Sequence, residues 1–238
     1  MVEATSAKTR SEKANKVRAI LAGGLVLGVG AAFTLAAWTD NEWVFGQSEN
    51  GGGPGTKVYQ MQQNTWSGTG GSEAWSDQPL SPGGALTFSV NADNLVPGST
   101  VYAPMQLRAV AGSEALVASL TEAAQSLPID SATNSSQLYT ALRYEAKQGV
   151  PRSSCNATGF AAASASGASN IVPAGSNLNT ISVPGAATNI ALPKVDNVTP
   201  GAAVDVCFAL TLPTDAPASL QGTKTVPLWK FSSTVGQS

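Results

Sequence analysis

The chain has 238 residues, 13 basic and 15 acidic side chains, two cysteines and no histidine, with a formal net charge of −2. Without histidine, Ser-His-Asp and Cys-His catalysis, HExxH zinc proteases and most histidine-based acid–base schemes are excluded. No basic cluster follows the first eighteen residues, so the chain is not built to hold nucleic acid through its phosphates.

The chain opens on a polar arm, residues 1–18, in which Lys8, Arg10, Lys13, Lys16 and Arg18 outweigh Glu3 and Glu12. Such a cationic arm stays cytoplasmic. The next 20 residues, Ala19 to Trp38 (AILAGGLVLGVGAAFTLAAW), carry no charge and just match the roughly 20 helical residues that span a hydrocarbon core. Gly23, Gly24, Gly28 and Gly30 dilute that run, and it ends in the small residues Ala36 and Ala37, as a peptidase requires. The expectation is a signal peptide over 1–37, cut between Ala37 and Trp38, with a permanent type II membrane anchor as the alternative. Leu35 fits the ordinary small-x-small rule poorly, and no twin-arginine pair is present. Cleavage would leave 201 residues with eight basic and thirteen acidic side chains, enough for one domain with a proper core.

The segment exposed by that cut, WTDNEWVFGQ (Trp38 to Gln47), is apolar at Trp38, Trp43, Val44 and Phe45. It is tethered by SENGGGPGTK (Ser48 to Lys57), whose glycines and Pro54 hold no regular element, so residues 38–57 read as an exposed segment and flexible joint. The glycines mimic a phosphate loop, but Lys57 follows Thr56 and no βα unit surrounds it. Residues 58–238 read as a β-sandwich domain, mainly β and jelly-roll-like, with a short helix. Strands with period-two alternation are expected at Val58 to Gln63, Leu86 to Asn91, Val101 to Ala109 and Val204 to Leu212. The last places Val204, Val206, Phe208, Leu210 and Leu212 on one face. Pro-Gly turns in SPGG, VPGS and TPGA punctuate them, each permitting a positive φ at glycine. A short helix is expected to start at Ser135 or Ser136, with Leu138, Ala141 and Leu142 on one face, followed by a strand. From Thr158 to Leu192, rich in Ala, Ser, Gly and Asn with Pro173 and Pro184, long loops with short edge strands are expected. In PLWKFSS, Trp229 and Phe231 share the buried face of a last strand, opposite Lys230.

Three stretches carry a family resemblance. LAAWTDNEW resembles the leader junction of proteins exported through the SipW-type signal peptidase, in which Ala is followed by an aromatic residue, one further residue, then Asp. Here these are Ala37, Trp38 and Asp40. NADNLVPGSTVYAPMQLRAVAGS (Asn91 to Ser113) and VDVCFALTLPTDAPASLQGTKTVPLWKF (Val204 to Phe231) are similar to the TasA/camelysin group. That group comprises β-sandwich fibre proteins of biofilm matrices, with members from Gram-positive actinobacteria. The resemblance implies a secreted subunit, a SipW-type peptidase as export partner, and self-association or a matrix partner protein. The metalloprotease activity described for camelysin-type relatives is not carried over, because no histidine is present to bind catalytic zinc.

Cys155 and Cys207, with an export leader, read as one disulfide; two separately buried thiols or a metal pair are the alternatives. Asp40 with Glu42, or Asp196 with Asp205, are conceivable carboxylate pairs without a cleft motif, and no Asp-x-Asp-x-Asp-Gly calcium loop occurs. No cofactor is expected. The sequons at Asn134, Asn156 and Asn197 read as chance in a Ser/Thr-rich chain with a bacterial-looking leader. Trp66 and Trp75 lie in a polar, glycine-rich stretch, where they either cap the core or form a carbohydrate-stacking platform. The sequence therefore leads to a non-enzymatic secreted structural protein, a biofilm-matrix or cell-surface fibre subunit or an accessory to one. Trp38, Trp43, Val44 and Phe45 form its candidate donor strand. The alternative is an extracellular module for polysaccharide or cell wall using Trp66 or Trp75. Membrane contact is expected only through the uncleaved leader.

Overall fold

The structure, a computed structural model, describes residues 14–21, 43–44, 49, 56–89, 92–163, 168–183 and 188–235. The chain divides into two units, Met1–Gly55 and Thr56–Ser238. In the first, residues 14–21 form a helix, α1, and Trp43 and Val44 belong to no helix or strand. Ala37, Trp38, Asp40 and Phe45 lie outside the described residues, as do Glu42 and Val90. Among the described residues, no helix is long and apolar enough to cross a membrane.

The second unit is mainly β, with its strands in two antiparallel sheets. One sheet has the order β1 (Met61–Asn64), β2 (Thr100–Ala109), β7 (Val204–Thr211), β4 (Arg143–Gln148), β5 (Ser169–Asn177). The other has the order β6 (Ile190–Leu192), β3 (Leu116–Gln125), β8 (Pro227–Val235). The chain changes sheet at every connection except β1 to β2 and β4 to β5. Both sheets contribute to one core. Phe208 of β7 packs against Trp229 of β8 at 4.9 Å between ring centroids, and Tyr144 of β4 reaches the same indole at 5.6 Å. Rings from three strands thus meet where the sheets approach.

Alternation explains β2 directly. Val101, Ala103, Met105, Leu107 and Ala109 are all buried, and Tyr102, Gln106 and Arg108 occupy the opposite face. Pro104 fits mid-strand because β1 pairs with β2 only from Gln106 onward. The Tyr102 amide donates to Ser89 Oγ, away from β7, so the same-parity Pro104 removes no β2–β7 ladder bond. β7 is the central strand and is buried on both faces. Val206, Phe208 and Leu210 enter the main core, and Cys207 and Ala209 enter a smaller cluster with Val150, Phe160 and Ala163. The outward residues Cys207 and Ala209 are covered by a helix.

That helix, α3 (Ala157–Ala163), lies in the stretch expected as loop. Asn156 Oδ1 accepts the Gly159 amide at 3.0 Å and so caps it. Gly159 is required by close approach, since a Cβ there would lie 2.0 Å from the Ser154 carbonyl oxygen. α2 (Ser136–Ala141) starts as expected, with Ser135 Oγ accepting the Leu138 amide, and Leu138 and Leu142 are buried. β5 is a nine-residue strand rather than a short edge piece. It tolerates Pro173 and Gly175 because it is an edge strand with irregular register against β4. Leu86 and Phe88 pack on the core as the alternation requires, but among the described residues of that segment, 86–89, no strand forms; it is fastened to β2 by the Ser89 amide donating to the Tyr102 carbonyl. At the start of the unit, Val58 makes only an isolated bridge to Ser113 before β1 begins at Met61. Gly83 and Gly98 have positive φ as their Pro-Gly turns predict. Gly201 does not: it is needed because a Cβ would crowd Val195 and Ala109.

Candidate functional site

The outer face of the five-stranded sheet carries a continuous polar system on β1, β2 and β7. Gln62, Asn64, Gln106, Arg108 and Asp205 project there because their neighbours Leu107, Val204 and Val206 point toward the core. Gln106 Nε2 donates to Asp205 Oδ1 at 2.7 Å, and Asn64 Nδ2 donates to Gln106 Oε1 at 3.2 Å and to Glu73 Oε1 at 3.0 Å. Above this ladder lies the loop of residues 65–76. Its two indoles each cover a guanidinium: Arg108 lies 3.9 Å from the Trp75 ring centroid, and Arg152 lies 4.9 Å from that of Trp66. Glu73 ties the arrangement together, accepting from Trp75 Nε1 at 3.1 Å and pairing with Arg152 at 3.5 Å. Arg152 also donates to Gln106 Oε1. Burial holds Arg108 below the usual guanidinium range, opposed by the Glu73 charge, and it remains a cation.

Neither tryptophan belongs to the core, which corrects the core-capping reading of Trp66 and Trp75. Both are half-buried, clamped on arginines at the sheet surface. The sequence carries only part of this signal. Gln106 and Arg108 are the polar alternates of an otherwise apolar strand, but nothing near Arg152 in the chain announces that it meets Trp66.

Arg152 is delivered by the disulfide. Cys155 and Cys207 are joined, with Cα atoms 5.6 Å apart and no free cysteine among the described residues. Cys207 is fixed in the middle of β7, so the bond holds the 3-10 turn Arg152–Ser154 and the start of α3 against the sheet. Lys147 of β4 reaches the far end of that helix, donating to the Phe160 carbonyl at 3.1 Å and pairing with Glu145 at 3.3 Å. A cation at a helix C-terminus is favourable.

The remaining sequence candidates separate. Asp196 and Asp205 have different partners. Asp196 Oδ1 accepts the amides of Thr199 at 2.6 Å and Val198 at 2.8 Å, which hold its carboxyl below the ordinary range. Among the described residues, no group of three or more His, Cys, Asp and Glu is placed to hold a metal ion. Of the sequons, Asn134 is buried and its amide is consumed by the fold, whereas Asn156 and Asn197 are exposed. Trp43 and Val44 of the candidate donor strand are each 94% exposed.

No protein-family model matches the chain, and no curated protein matches it. Fold and surface define a mainly β, disulfide-linked protein with two antiparallel sheets and an arginine-backed tryptophan pair on one sheet's outer face.

Proposed function

We propose that the chain is a secreted, non-enzymatic structural protein, a biofilm-matrix or cell-surface fibre subunit or an accessory to one. In this reading the two sheets form a jelly-roll-like sandwich. A SipW-type peptidase cuts the leader after Ala37, and the freed segment containing Trp38, Trp43, Val44 and Phe45 adds as a strand to the next subunit. The observation that carries the reading is the 94% exposure of both Trp43 and Val44, adjacent large apolar side chains left in solvent ahead of a unit that begins at Thr56. Large apolar groups left in solvent favour a partner surface. The sheets supply acceptors: β5 and β8, nine residues each, are edge strands paired along one side. β5 is blunted by Pro173 and its irregular register, which favours β8. The disulfide supports an extracellular location. Deletion of residues 38–47 from the secreted protein is expected to leave the β unit folded and abolish self-association; association that persists in the deletion sinks strand donation.

A second reading has its own observation. Trp66 and Trp75 are held on arginines outside the core, as an extracellular polysaccharide or cell-wall binding module would hold its stacking rings. Trp66→Ala in a folded protein is then expected to lose retention on glycan columns, and unchanged retention removes this reading.

A further inference from the structure

The same outer sheet face carries a second feature at its other end. An open groove of about 420 Å³ lies over β2, β7 and β4, and the edge strand β5 walls it through Ala174 and Gly175. Its size falls in the range of roughly 300–1,000 Å³ typical of ligand sites. Arg143, Tyr102, Thr100 and Thr211 also line it. We propose that this groove binds an acidic peptide, whose Asp or Glu carboxylate is gripped by the Arg143 guanidinium while its backbone lies against β5. The inference rests neither on the fibre reading nor on the Trp66 and Trp75 platform.

Charge selects the carboxylate. Arg143 Nη1 donates to the carbonyls of Thr140, Ala141 and Leu142 at 2.8 to 3.0 Å, at the end of α2. These partners are neutral, so they hold the guanidinium in place without cancelling its charge. Its Nε and Nη2 have no partner among the described residues, and their two N–H groups form the side of the fork that meets a carboxylate bidentately. The other charge of the lining, Glu145, is paired with Lys147 at 3.3 Å, and their side chains are only 17% and 7% exposed, so that pair is closed within the fold. Arg143 is thus the open charge of the groove. The hydroxyls beside it favour an anion as well. Tyr102 keeps its proton, since burial, reinforced by the Glu145 charge, pushes it above the ordinary range. Thr100 and Thr211 lie 2.8 Å apart, so one hydroxyl donates to the other and the accepting one has its own proton to give.

Backbone selects the peptide. Tyr144 pairs with Ser176 and Ala146 with Val172, so Pro173, Ala174 and Gly175 together stand opposite the single residue Glu145. At the crest of that bulge Gly175 has φ +74°, and a Cβ there would meet nothing within 4 Å, which leaves room for a second main chain. Main chain at a sheet edge is what an extended peptide recognises. The irregularity that blunts β5 against a long added strand therefore opens a seat for a short one. A sugar would need ring faces instead, and the groove has few to give. Tyr144 is buried, and Phe160 is buried with Cys207 and Ala209, where it props the Tyr102 ring at 5.6 Å.

The test is fluorescence anisotropy on the full chain with a dye-labelled peptide Gly-Ser-Glu-Ser-Glu-Ser, the same peptide with Gln for both Glu, and labelled trigalacturonate as a carboxylate from a saccharide. The Glu peptide is expected to bind, the Gln peptide at least about tenfold more weakly, and rising salt should weaken the Glu peptide further. Arg143→Lys keeps the charge and loses the fork, and should weaken binding by about tenfold. Because Arg143 also ties the end of α2, Ala174→Phe supplies a second variant: it fills the groove from an exposed position and should abolish binding. Trp66→Ala should leave the affinity unchanged. The proposal is overturned by no binding of the Glu peptide at millimolar protein, by equal affinity for the Glu and Gln peptides, or by an affinity indifferent to either groove variant. Tighter binding of trigalacturonate than of the Glu peptide also overturns it, as does loss of binding in Trp66→Ala.

Discussion

Asn134 joins two chain segments that are distant in sequence. Its Oδ1 accepts from the Val226 amide at 2.9 Å, from Gln125 Nε2 at 2.8 Å and from Thr225 Oγ1 at 3.1 Å, and its Nδ2 donates to the carbonyls of Ser126 and Pro128. The residue is 4% exposed, so these partners have no solvent to replace it. Asn134 thereby fastens the exit of β3 to the entry of β8, the strand that carries Trp229 and Phe231. Asn134→Ala leaves a buried amide and two carbonyls without partners and is expected to cost about 3 kcal/mol, read from urea unfolding. A change below about 0.5 kcal/mol would contradict the assigned role. The same bonds exclude a glycan on Asn134 in the folded chain. Gly159 is a second residue whose identity follows from space alone, because Ser154 occupies the volume of any side chain there.

At the scale of elements, the disulfide positions more than it encloses. It spans 52 residues, which on the chain-entropy account stabilises the fold by about 3 to 4 kcal/mol. Replacing both cysteines by serine should lower stability by about that amount in denaturant titration. It should also release Arg152 from beneath Trp66, seen as a shift in tryptophan fluorescence. A doubly substituted protein with unaltered fluorescence would show that the turn Arg152–Ser154 holds its place without the bond.

The elements differ in how plainly the sequence announces them. β2 and β7 are legible because strict alternation meets a buried face, β8 because Trp229 and Phe231 flank the outward Lys230, and α2 because Ser135 supplies a cap before an apolar stripe. β3 (LVASLTEAAQ) escapes such reading, since Leu, Ala, Glu and Gln prefer helix and the strand is imposed by pairing with β6 and β8 on its two sides. β5 hides behind Pro173 and Gly175, tolerable only at an edge, and α3 behind a run of small residues whose single large apolar side chain is Phe160. The tryptophan platform is half legible. Trp66 and Trp75 stand out in a polar stretch, but their arginines come from β2 and from the turn before Cys155, a convergence that only the tertiary fold creates.

At the scale of the whole molecule, two sheets share one core and, among the described residues, β8 is paired along a single side, and the chain presents Trp43 and Val44 to solvent. Under the strand-donation proposal, an edge strand and an exposed apolar segment in one chain would pair between copies, and that pairing would propagate head to tail into a filament where the rotation does not close a ring. The balance of eight basic and thirteen acidic residues after residue 37 does not oppose this, because charge at so low a density is screened at physiological salt. The most direct test takes protein from culture medium, reads its N-terminus, and examines the same sample by size exclusion and negative-stain microscopy. Filaments built from chains that begin at Trp38 are the expected result; stable monomers with that same N-terminus would contradict assembly by strand donation.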